Sequence, residues 1–217
     1  MRSRFDSQLE KLNQEMILMG TMAETAIEGA CEALLTRNVE RARDIMSSDP
    51  AVDRQERDIE ALCLRMLLMQ QPVARDLRLV SSALKMISDM ERIGDHAADI
   101  SEIELMLENL PTLSCAPIRQ MATETSVMLI KSLEAFAQRD EEKANWVIGR
   151  DDVVDDLFLD VKRELVEQIR KKPDCGMAAL DMLMIAKYFE RIGDHATNVA
   201  EWVQYAVTGL YKGESLA

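Results

Sequence analysis

The chain has 217 residues, 47% of them apolar and 30% charged, enough for one large domain or two small ones with a real core. Its net charge of −13 repels nucleic acid and anionic lipid head groups. That argues against both as direct partners and suits a protein that collects cations or docks on basic protein surfaces.

Aromatic residues are scarce at 4%, Met fills 15 positions, and Gly (8) and Pro (5) are few. This composition favours helices, in which Leu, Met, Ala, Glu and Arg lose little rotamer freedom. The first predicted helix covers residues 6–35, with Leu9, Leu12, Met16, Met19, Ala23, Ala26 and Ala30 at three-to-four spacing. A short amphipathic connector follows over 39–46. A second helix is expected to begin at Asp49 as N-cap, with Pro50 in the first helical position, where its missing N–H costs nothing. It carries Val52, Ile59, Leu62, Met66 and Met69 inward, and Pro72 ends the region. The third helix is predicted over 74–107. Residues 109–117, with Pro111 and Pro117, read as a linker.

The same plan then returns, with helices over 118–137, 151–171 and 178–210 and a connector over 141–148. The run Glu91-Arg92-Ile93-Gly94-Asp95-His96-Ala97 recurs unchanged as Glu190-Arg191-Ile192-Gly193-Asp194-His195-Ala196. Upstream, Asp49-Pro50-Ala51-Val52-Asp53 aligns with Asp151-Asp152-Val153-Val154-Asp155. The chain is therefore written twice. No stretch alternates at period two for long enough to form a strand. The expected fold is all-α: two tandem three-helix bundles related by a pseudo-twofold axis, spanning 1–108 and 118–217.

The third helix of each half carries the chemistry. Leu77, Val80, Leu84 and Ile87 form an apolar stripe that continues into Glu91, Gly94, Asp95, Ala98 and Glu102. In the second half Leu183 and Ala186 lead into Glu190, Gly193 and Asp194. A carboxylate beside a core must be paired, hydrogen-bonded or metal-bound. Spacing of i to i+4 lets two side chains reach one cation. Asp49 with Asp53, and Asp151 with Asp155, supply a matching pair from the preceding helix. Two such pairs make an all-oxygen site suited to Mg²⁺, Mn²⁺ or Fe. The same residues also read as helix-start caps for Asp49 and Asp151, or as contacts to arginines of a neighbouring helix or second subunit.

His96 falls with Lys85, Asp89 and Arg92 on the polar face and reads as solvated or linked to Asp99. Its spacing from Glu91 is not the Glu-x-x-His of di-iron bundles. Gly94 and Gly193 cost about 1 kcal/mol each inside a helix relative to Ala, which implies close approach of another helix or of an ion. The methionines read as core filling, although Met16, Met19 and Met22 also suit a partner groove.

Cys31, Cys63, Cys115 and Cys175 form no C-x-x-C pair and read as free thiols in a reducing compartment. The amino-terminal stretch lacks the apolar centre of a signal peptide. No apolar run approaches the roughly 18 residues of a membrane span, so a cytoplasmic protein is expected. Phosphate-loop, dinucleotide, nucleophile-elbow and zincin motifs are all missing, and no enzyme is expected.

The E-R-x-G-D-x-x-x-[ND]-[IV] run at 91–100 and 190–199, with the D-x-x-V-D start at 49–53 and 151–155, resembles the signature of the PhoU family over essentially the whole chain. The resemblance implies a cytosolic adaptor between the ATPase of a phosphate ABC transporter and a sensor histidine kinase. Such an adaptor restrains uptake and the starvation response when phosphate is abundant, and it meets the membrane only through the transporter. A homodimer is the expected assembly. The resemblance also implies metal clusters (iron, manganese, magnesium or zinc) on acidic faces. Here these are Asp49, Asp53, Glu91 and Asp95, then Asp151, Asp155, Glu190 and Asp194. Asn198 stands where the first half has Asp99, so the two sites are expected to differ in charge and metal count. The competing readings are a metal-binding helical bundle of iron-storage or oxidase type, and an accessory of a non-ABC phosphate permease.

Overall fold

The computed structural model describes residues 2–215, with side chains from Phe5 onward; Met1, Leu216 and Ala217, the ends of the two expected repeats, lie outside the described residues. The first repeat consists of α1 (Arg2–Thr36), α2 (Val39–Gln70) and α3 (Arg75–Met106). The second consists of α4 (Ala116–Gln138), α5 (Glu141–Ile148), α6 (Asp151–Lys171) and α7 (Gly176–Thr208), with a 3₁₀ turn at Pro173–Cys175. A two-residue hairpin follows, β1 (Leu210–Tyr211) against β2 (Glu214–Ser215). Period-two patterning gives no sign of a hairpin that short.

Helix α2 packs on α1 and α3, while α5 and α6 pack on α4 and α7. The repeats meet where α3 lies along α7 and α1 along α4, which gives two three-helix bundles in pseudo-twofold relation. One continuous core runs through both. Leu12, Met16, Met19, Ile59, Met86 and Met90 fill it in the first repeat, and Met121, Leu129, Ile185 and Phe189 in the second. Met22 packs against the same core, so the methionines of α1 fill it as well. All four cysteines are free and buried. No helix among the described residues is long and apolar enough to cross a membrane.

The expected helix start at Asp49 is not realised. A single helix runs from Val39 through Pro50, capped by the Asn38 side chain, which accepts from the Arg41 backbone N–H. Proline's fixed φ is itself helical, so α2 continues through Pro50 at the cost of one backbone hydrogen bond and of crowding against the preceding turn. In the second repeat Asp140 caps α5 in the same way, and the chain does break, at Gly149-Arg150. There the Arg150 side chain is tied to Glu124 of α4 through two hydrogen bonds of 2.7 and 2.8 Å. Two further residues differ from the periodic reading: Met69 and Leu77 are 62% and 45% exposed. Both stand at the α2–α3 turn, where the helix ends leave a side chain without neighbours to cover it.

Candidate functional site

Asp49, Asp53, Glu91 and Asp95 are assembled by one close contact. A Cβ at Gly94 would stand 3.2 Å from Val52 Cγ1, so the absence of a side chain lets α2 and α3 approach. Val52 sits between Asp49 and Asp53 in the chain, and Gly94 sits beside Asp95. The contact therefore carries both aspartates of α2 to the carboxylate of α3. Asp49, Asp53 and Asp95 each present one oxygen, all within 4.8 Å of one another. Among the described residues no other trio of His, Cys, Asp or Glu does so.

Glu91, one turn earlier, stays outside that spacing; its Oε2 lies 3.7 Å from Arg92 Nε, while Arg92 Nη1 donates to Asp95 at 3.0 Å. Burial pushes the Asp49 carboxyl upward, and the neighbouring charges of Asp95, Asp53 and Asp99 push it further. Glu91 is also raised, first by burial and then by Asp95, with Arg92 opposing.

The second repeat builds the counterpart. A Cβ at Gly193 would stand 3.3 Å from Val154 Cγ1, which brings Asp151 and Asp155 of α6 towards Glu190 and Asp194 of α7. Here two of the acids have partners: Thr197 Oγ1 donates to Asp151 at 3.2 Å, and the Lys187 ammonium donates to Glu190. Asp151 is raised by burial, with Thr197 working against it. Asp155 and Asp194 are exposed, yet both are raised, by partial desolvation and then by the Glu190 charge. Each site thus carries a basic side chain of its own, Arg92 in the first and Lys187 in the second, and the second lacks a trio at the spacing of the first.

Asp99, which the sequence set against Asn198 as a difference between the two sites, does reach Asp49 with its charge; sequence reasoning missed the Lys187 and Thr197 partners. Asp99 was visible as the next i+4 carboxylate after Asp95. Its counterpart Asn198 turns elsewhere and donates to Asp89 at 3.1 Å. The histidines are not on a solvated face. His96 is 8% exposed, its ring 5.4 Å from that of His195 and 5.3 Å from Tyr188 across the α3–α7 seam. Its Asp99 link is present, Nδ1 to Oδ2 at 3.3 Å. Burial lowers the His96 pKa. His195 Nδ1 pairs with Asp89 at 2.8 Å.

The first site fits a hard cation by two observations. Asp49 now stands in mid-helix, so it has no capping role, and its Oδ1 is buried with no hydrogen-bond partner. The donors are all carboxylate oxygens crowded against one another, the arrangement a cation relieves.

The PhoU domain model matches residues 16–103 and again 118–203. The phosphate-specific transport system accessory protein PhoU homolog of Clostridium acetobutylicum is 36% identical over 210 residues, covering 96% of both chains. Its counterpart from Pseudomonas aeruginosa is 33% identical, over 95% of this chain and 86% of the relative. The crystal structure of PhoU from Pseudomonas aeruginosa superposes with a TM-score of 0.88 at 32% identity, over 95% of this chain and all (100%) of that one. That of the phosphate transport system regulatory protein PhoU from Streptococcus pneumoniae gives 0.89 at 28%, over 95% and 98%. With both repeats matched and relatives aligned along nearly its whole length, the chain belongs to the PhoU family.

Proposed function

We propose that this chain is a cytoplasmic negative regulator of phosphate uptake and of the phosphate-starvation response. It acts as an adaptor between the ATPase of a phosphate ABC transporter and a sensor histidine kinase. It works as a homodimer, without catalytic chemistry of its own, and it reaches the membrane only through the transporter. Its relatives' designation as accessory proteins of the phosphate-specific transport system supports the transport link.

The observation that carries the metal-binding part is the Asp49–Asp53–Asp95 trio with its partnerless buried oxygen. Asp49, Asp53, Asp95 and the adjacent Glu91 would hold the ion, and Asp151, Asp155, Glu190 and Asp194 a second one. Oxygen-only donors suit iron, manganese or magnesium better than zinc. A bound cation offsets the repulsion between α2 and α3 and lowers the negative charge of the face they form. Occupancy thereby sets which partner charges that face accepts.

The test is alkaline phosphatase output in a deletion strain grown with ample phosphate, complemented by wild type or by a D49N/D53N/E91Q/D95N chain. High output in the deletion, silenced by wild type and not by the variant, is the expected result. Low output in the deletion sinks the regulator reading and favours an accessory of a non-ABC permease. Wild type purified with metal supplied yet free of iron, manganese, magnesium and zinc on elemental analysis sinks the metal site.

A further inference from the structure

Away from the acidic faces, a cavity of about 170 Å³ opens where the α1–α2 turn, the end of α3, the linker and the start of α7 meet. That volume matches cavities able to take a molecule of benzene size. Its walls are mostly apolar: Leu34, Leu107, Pro111, Leu113 and Met182. At its inner side stands Glu104, 5% exposed, with both carboxylate oxygens buried and unpartnered. A carboxylate accepts up to about four hydrogen bonds, and leaving all of them unmade in an apolar surrounding is costly. The metal sites make no use of this group.

The charged groups around it do not answer that need. Arg37, from the α1–α2 turn, spends its donors on the Leu107, Glu108 and Leu110 carbonyls and on Thr112 Oγ1. Glu108 lines the mouth and is exposed. The Cys31 thiol, on α1, feels the Glu104 charge as well. From α7 the cavity receives only Ala178 and Met182, neither of them polar. The Arg37 charge is felt at Glu104, but the Arg37 Nη donors go to carbonyls and to Thr112; with a second carboxylate at the mouth, the site favours a donor of positive charge.

We propose that this cavity is a binding site for a compact organic ammonium, its apolar body against Leu34, Leu113 and Met182 and its N–H donors on Glu104. The site joins both repeats, because its walls come from α1, the linker and α7. No covalent step is involved. Binding transfers one proton from Glu104 to solvent, since burial holds this carboxyl up to about 8 and the ammonium requires the ionised form.

The test titrates the full chain with cyclopentylamine by calorimetry, with cyclopentanol and cyclopentanecarboxylate as neutral and anionic isosteres. The chain carries methyl-labelled Met, so that Met182 reports the location. Expected are binding of the amine alone, a shifted Met182 methyl signal, release of one proton, and affinity rising about tenfold per pH unit between pH 6 and 8. Glu104→Gln, close in shape, should weaken the amine at least tenfold. The wild-type pH series decides the matter if that variant fails to fold. Absence of amine binding to wild type, equal binding of the three probes, pH-independent affinity, or binding that leaves the Met182 methyl unmoved each overturns the proposal; in the first case the cavity holds water only.

Discussion

Substituting Glu104 by Gln should remove a pH-dependent cost that the wild type carries at neutral and alkaline pH. Burial raises this carboxyl from 4.5 to about 8, with the Arg37 charge pulling the other way. The folded chain therefore holds a proton that the unfolded chain has already lost. Below about pH 4.5 both states are protonated and the group contributes nothing. Between 4.5 and 8 stability falls as pH rises, by about 1.4 kcal/mol per unit. Above 8 both states are ionised and the full cost, on the order of 5 kcal/mol, persists. Gln does not titrate, so the stability difference between variant and wild type should widen from pH 5 to pH 9 by several kcal/mol in favour of the variant. Every other titrating group is common to both proteins, and Cys31 feels the Glu104 charge only as a later cause behind its own burial. Urea unfolding at pH 5, 7 and 9 measures this directly, with an unchanged m-value as the check that the folded states are alike. Parallel curves for the two proteins across that range would refute the reasoning, because they would mean that Glu104 ionises as readily folded as unfolded.

Asp49→Asn takes away a carboxylate whose neighbours repel it, so the metal-free variant should melt higher than metal-free wild type. Its gain on adding Mn²⁺ should shrink from the roughly 2.7 kcal/mol expected at a hundredfold excess over Kd, as read by calorimetric melting. Gly94→Ala gains up to about 1 kcal/mol of helix propensity but presses on Val52 Cγ1 at 3.2 Å. A net loss of about 1–2 kcal/mol is expected from overpacking, with part of it recovered when Val52→Ala is made in the same chain; an additive double-mutant cycle would show that the helices do not touch there. Arg37→Ala strips hydrogen bonds from the Leu107, Glu108 and Leu110 carbonyls. It should cost about 2 kcal/mol, since each bond to a charged donor is worth more than a neutral one, and it should speed amide exchange over residues 107–113.

Much of this fold was legible because a duplication states the same sentence twice. The repeated Gly in Glu-Arg-Ile-Gly-Asp-His-Ala implied close helix approach, and Val52 and Val154 are the residues that make it. The apolar line of α1 was readable because a helix in mid-bundle buries one face along its length. Periodicity failed where that condition fails. Met69 and Leu77 keep the phase of a core stripe but stand at a turn with nothing above them. Pro50 misled for a different reason: a proline favours a helix start over a helix interior by about 3 kcal/mol, yet a helix that packs along its length, as α2 does on α1 and α3, carries one inside.

The carboxylates show how far a linear pattern carries. Asp49 and Asp53 declare themselves by spacing, whereas Glu104 lies among glutamates that spacing cannot sort. Glu102 is exposed and Glu104 is buried, two letters apart, because only the second continues the buried line of Ile93, Ala97 and Ile100 into the seam. The identical heptapeptides diverge for the same reason. Pairing α3 with α7 sets His96 against Tyr188 and His195 against Asp89, two residues that occupy equivalent places in the repeats but differ in kind. Asp99 faces the first acidic site, while its counterpart Asn198 donates to Asp89 across the seam. Lys187 neutralises part of the second site at the place where the first has Ser88, whose hydroxyl donates to Glu56 instead. A repeat therefore predicts a fold twice over but a site only once, since the residues that make the two sites differ in charge, Lys187 against Ser88 and Asn198 against Asp99, lie outside the repeated run.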